Sequence, residues 1–194
     1  MASVDPEDTR LARESRAGSL EAFDGIVRRH HASVFGFLLG LTRNRHDAED
    51  LTQETFLRAW RKIRRFDPSK PILPWLLTIA RRLSIAMLRK RKPAPVPEAE
   101  PVVLPSVSPE TPDLWQLAER HLSADAFSAL WLHYREELPL AEVGRIIGKR
   151  EGAVKVLLHR ARNTLAGQLR PSPPPLPATP PPLPSIWNNA RTTP

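Results

Sequence analysis

From Leu20 onward the apolar residues keep a helical beat. Ala22, Phe23, Ile26, Val27, Val34, Phe35, Phe37, Leu38 and Leu41 recur close to the i, i+3, i+4 spacing that gathers side chains on one helix face. A second stripe follows at Leu51, Thr55, Phe56, Ala59 and Ile63, and Asn44 and Asp47 supply the start signals for its helix. Asp67-Pro68-Ser69 reads as a turn, and Pro71 and Pro74 keep the next stretch extended. Pro74 can then open a third helix, WLLTIARRLSIAMLRKRK, since a proline in a first helical turn forfeits no hydrogen bond. Further on, Ser123 caps a helix carrying Phe127, Leu130, Trp131 and Tyr134. Pro139 starts a shorter one, LAEVGRIIG, which Gly148 stops. Lys149-Arg150-Glu151-Gly152 leads into AVKVLLHRARNTLAGQL.

Proline then sets the domain organisation. The chain has 194 residues and 22 prolines, unevenly spread. From Lys92 to Asp113 a proline recurs every few residues, which defeats helix and sheet alike because each ring removes a donor and restricts the residue before it. The expected fold class is all-α: two small helical domains joined by a proline-rich linker. Residues 1–17 form an N-terminal extension, 18–92 the first domain, 93–113 an extended linker and 114–170 the second domain. The prolines of 171–194 predict a disordered tail.

Composition narrows the function classes. A net charge of +8 favours a polyanionic partner. The absence of cysteine excludes disulfides, thiolate metal sites and cysteine nucleophiles. The charged N-terminus lacks the apolar core of a signal peptide. Runs such as Val34 to Leu41 fall well short of the roughly 20 residues that span a bilayer, so a cytoplasmic chain without stable membrane insertion is expected. The six histidines show no metal-ligand spacing, and the eight glycines never cluster into a phosphate-cradling loop. No catalytic residue, metal, cofactor or small-molecule substrate is therefore expected, and the chain does not read as an enzyme.

Three charge features ask for a partner. Asp47, Glu49, Asp50 and Glu54 form an acidic patch on the second helix, with Gln53 and Arg58 beside it. Compensation of the helix dipole accounts for part of it, and a rim for a basic partner surface accounts for the patch as a whole. Arg81, Arg82, Arg89, Lys90, Arg91 and Lys92 carry uncompensated positive charge along the third helix, a phosphate-binding stripe or a solubilising end. Phe66 and Trp75 bracket the preceding loop, where an aromatic face either holds an unpaired base or belongs to the core. Lys149, Arg150 and Glu151 open the last helix, with Lys155 and Arg160 further along it. Two short helices around a glycine turn, the second basic, form the helix-turn-helix pattern, although helical hairpins of ordinary cores look alike.

Together these segments resemble the extracytoplasmic function (ECF) sigma factors of bacterial RNA polymerase over residues 18–169. DAEDLTQETFLRAWRKI is similar to that family's polymerase-binding helix, and FDPSKPILPWLLTIARRLS to the loop and helix that read the downstream (−10) promoter element. LPLAEVGRIIGKREGAVKVLLHRARNTL resembles the helix-turn-helix that reads the upstream (−35) element. The resemblance implies a factor that binds core polymerase, recognises both elements and promotes promoter opening for a specific, stress-responsive regulon. On its terms Asp47, Asp50, Leu51, Gln53, Glu54, Phe56 and Arg58 face the coiled-coil of the largest polymerase subunit. Phe66 and Trp75 hold an extruded base, while Arg81, Arg82 and Arg89 track the backbone. Lys149, Arg150, Glu151, Lys155 and Arg160 meet the upstream duplex. Implied partners are core polymerase, through that coiled-coil and its flap, and promoter DNA, with an anti-sigma factor left open.

The chain departs from the family pattern at named positions. Arg82 stands where asparagine is usual and Ala86 where aspartate is common. In the recognition helix Ala153, Val156 and Leu157 replace a hydroxyl residue, a serine and an arginine. These changes remove potential donors, so the family's upstream specificity is not carried over. A helix-turn-helix regulator that binds duplex DNA without polymerase is the second reading. Polymerase binding separates the two.

Overall fold

Eight α-helices, and no strand, make up residues 5–90 and 114–169, the part of the chain that the computed structural model describes. The linker expected at 93–113 and the tail at 171–194 lie outside these residues.

Upstream of the first predicted helix, Pro6–Arg16 forms α1. The Asp5 carboxylate caps it by accepting from the Glu7 backbone N–H at 2.8 Å, and proline begins it where no N–H is missed. Leu11 and Ala12 bury α1 against α2 (Leu20–Thr42), and Asp8 ties the pair polar to polar. One Asp8 oxygen accepts from Arg29 Nε at 2.7 Å, and His30 Nε2 lies 3.0 Å from the other. The helix α3 (Arg45–Lys62) starts where expected, the Asn44 side chain accepting from the Asp47 N–H at 3.0 Å. After a 3-10 turn at Ile63–Arg65, α4 (Ile72–Lys90) begins two residues before Pro74. Pro74 thus sits inside the first turn, among N–H groups that have no helical partner anyway. Phe37, Leu38, Ile63, Leu76 and Leu77 fill the core of this first bundle.

The second bundle opens with α5 (Leu114–His121). The Ser123 hydroxyl then caps α6 (Ala124–Leu130), whose chain runs on into a π-helical turn at Trp131–Arg135. Gly148, at φ 71°, ends α7 (Leu140–Ile147) in the left-handed conformation that a side chain disfavours. The last helix, α8 (Glu151–Leu169), buries Val154, Leu158, Ala161 and Leu165, an i, i+4, i+7, i+11 stripe. Among the described residues no helix is long and apolar enough to cross a membrane.

The two bundles pack on each other, α2 against α5 and α6, and α4 against α7. The closest approach is at Gly40, where a Cβ would lie 2.1 Å from the Phe127 ring. One turn earlier, at Gly36, a Cβ would lie 3.0 Å from Trp131. Both rings are buried, and Trp131 also tilts against Phe37 with centroids 6.3 Å apart. Arg43 donates across the seam to the Leu122 carbonyl at 3.3 Å.

Candidate polymerase and nucleic-acid interface

The helix α3 sorts its expected contact residues by burial. Asp50, Gln53 and Arg58 are exposed and Glu54 half-buried, with Glu54 accepting from Arg58 Nε at 2.5 Å one turn on. Asp47, Leu51 and Phe56 are buried, at 7–8% exposure. Leu51 and Phe56 belong to the stripe that anchors α3 on its bundle, so they cannot face a partner as expected. Leu57, 52% exposed, lies one turn beyond Gln53 and Glu54 on the outward face. A lone leucine off the buried stripe was the signal for it. The outward surface is therefore an apolar knob with Gln53 and Glu54 on one side and Arg58 and Arg61 on the other, Asp50 lying one turn nearer the helix start.

The loop between α3 and α4 is held by its own side chains. Asp67 accepts from the Ser69 hydroxyl at 2.7 Å and from its backbone N–H at 3.0 Å. These bonds, the hydroxyl first, keep its carboxyl below the usual aspartate range. Phe66 is buried, which corrects its reading as a base-holding ring. It lies beneath the half-buried Trp75, ring centroids 4.8 Å apart, and serves as that ring's support. Trp75 faces a cleft of about 650 Å³ whose near wall carries Arg65 and Lys70 and whose far wall is Pro139 and Arg145 of α7. One bundle's aromatic loop is thus roofed by the other's helix.

The basic residues of α4 divide likewise. Arg82 and Arg89 are exposed, but the Arg81 side chain is 12% exposed and ion-paired with Asp125 of α6. Asp125 also takes Lys149 at 3.0 Å, so one carboxylate holds a cation from each bundle's expected DNA-reading surface. Sequence reading missed it, because Asp125 looks like an ordinary first-turn acid.

On α8, Glu151, Lys155 and Arg160 are exposed, as is Arg150 in the turn before it. Lys155 reaches back to Glu151 at 2.9 Å. The outward face opposite the buried stripe runs through Gly152, Val156, His159 and Asn163. Val156 is 48% exposed, whereas Leu157 is half-buried and packs on the core.

Residues 26–93 match the family model described as Sigma-70 region 2, and residues 115–165 the one described as Sigma-70, region 4. The ECF RNA polymerase sigma factor SigW of Bacillus subtilis is 32% identical over 176 residues, covering 81% of this chain and 94% of that protein. The ECF RNA polymerase sigma factor SigM of the same organism is 33% identical over 162 residues, covering 73% and 91% respectively. Among solved structures, the sigma factor RpoE from Bartonella quintana, crystallised with the anti-sigma factor NepR, superposes with a TM-score of 0.68 at 26% identity. That alignment covers 77% of this chain and 98% of the RpoE chain.

Proposed function

The chain belongs to the ECF sigma factors of bacterial RNA polymerase, and from that premise we propose how its surfaces divide the work. It is a promoter-recognising initiation factor for a specific regulon, in a class of proteins that act by binding and not by catalysis. The outward face of α3, Asp50, Gln53, Glu54, Leu57 and Arg58, docks on core polymerase. Its leucine supplies apolar area and its acids supply register against a basic surface. Trp75, propped by Phe66, receives an extruded base of the opened strand, and Arg82 and Arg89 hold the backbone beside it. The helix α8 enters the upstream major groove, with Arg150, Lys155 and Arg160 on phosphate. On this reading the chain works in the cytoplasm.

What carries the proposal is the joint presence, in one chain, of a helix whose outward face combines acids with an exposed leucine and of two separate elements that the proposal assigns to DNA. A plain regulator needs the last but has no use for the first. An anti-sigma factor is proposed as a further partner, because the superposable RpoE was solved bound to one.

Core polymerase mixed with the full chain should co-elute stoichiometrically and start transcripts from defined promoters. Asp50→Lys should abolish co-elution while leaving binding to upstream-element duplex intact. Equal loss of both activities would contradict the division of labour, and duplex binding without polymerase would favour the plain-regulator reading.

A further inference from the structure

The outward face of α8 is short of hydrogen-bonding groups where a recognition helix needs them. Residues near the N-terminal end of such a helix reach base edges. Here that stretch of the face is Gly152, Ala153 and Val156. A Cβ built at Gly152 meets nothing within 4 Å, so no neighbour crowds that end of the helix. Val156 lies nearly opposite the buried Val154–Leu158 edge and is 48% exposed, making its isopropyl group the part of this face that projects furthest without a polar atom. Of the charged residues around it, Lys155 reaches Glu151 along the helix and Lys149 reaches Asp125 at the bundle seam, while Arg150 and Arg160 are exposed on the flanks, where phosphate lies.

The one apolar group that projects into the major groove is the C5-methyl of thymine; the edge atoms that otherwise distinguish the base pairs there are donors and acceptors that an isopropyl group cannot satisfy. Placing Val156 against any of those would strip water from a polar atom and return nothing. We propose that Val156 is a specificity-determining residue that selects a thymine in the upstream promoter element by contact with its C5-methyl, with Gly152 and Ala153 leaving room for the approach. The inference rests on the sigma-factor reading above and deepens its upstream half.

The test uses holoenzyme reconstituted from core polymerase and the full chain. Promoters selected from a library randomised across the upstream element should share a T·A pair at one position. Replacing that thymine with deoxyuridine removes only the methyl group. It should weaken binding about fourfold, the worth of roughly one buried methylene. Val156→Ser, at a half-exposed site that leaves the α8 core stripe untouched, should abolish the difference between thymine and uracil. Selected promoters without a shared thymine, a wild-type holoenzyme indifferent to every such replacement, or a Val156→Ser holoenzyme as sensitive as wild type would each overturn the inference and leave the sigma-factor reading standing. Failure to select any promoter would overturn that reading, and the inference with it.

Discussion

Glu136 accepts from the Trp131 indole N–H at 2.9 Å, but burial outweighs that bond and its carboxyl is held above the ordinary value of 4.5. The unfolded chain gives up the same proton at lower pH, so folding takes up a proton between the two values. The stability of the protonated form is complete below the ordinary value and is lost as pH rises through the raised one. Glu136→Gln should therefore raise the melting temperature at neutral pH and flatten its fall over the range above the ordinary value of 4.5. Thermal melts across that range check it, and an unchanged slope would assign the carboxyl no such cost. Residue type alone hides such effects. Phe66 and Trp75 are equally aromatic in the sequence, and only burial separates the supporting ring from the half-buried one above it. Asp47 and Asp50 are equally acidic, yet the first is inside and the second outside.

The elements were legible wherever a local signal fixes an end. Asn44 and Ser123 cap α3 and α6 as their side chains predict, and Gly148 closes α7. Two helices gave no such reading. In α1 only Leu11 and Ala12 bury apolar side chains, and the rest of the helix is mostly charged or polar. In α5 eight residues bury Ala118 alone, too little for a period to show. The Gly148 turn also sets the angle between the two arms of the helix-turn-helix. Gly148→Val would force a β-branched side chain to φ 71°, at a cost of about 1–2 kcal/mol. A lowered urea midpoint together with weaker duplex binding is expected. Weaker binding at an unchanged midpoint would instead locate a direct DNA contact at the turn.

On the proposed function the two bundles read separate promoter elements. In the packed form one carboxylate, Asp125, holds Arg81 of the first bundle and Lys149 of the second. Engaging both elements through those residues would require Asp125 to release them, and the bundles are then expected to part. None of this closure was legible in the sequence, because its centre is two mid-helix glycines whose purpose is a pair of rings about ninety residues later. Gly40→Ala tests it. The methyl group should favour α2 itself by about 1 kcal/mol, but it would collide with Phe127, and overpacking costs about 1–3 kcal/mol. The expected result is a chain with intact helices and a larger radius of gyration by small-angle scattering; an unchanged radius would mean that the rings can yield. The same parting has an optical consequence. Trp131, now sealed against Gly36 with the Arg135 guanidinium 4.7 Å from its ring, would meet water as the seam opens. In a chain whose other four tryptophans are replaced by phenylalanine, its fluorescence should move to longer wavelength as the bundles part, a gauge of opening that needs no attached dye.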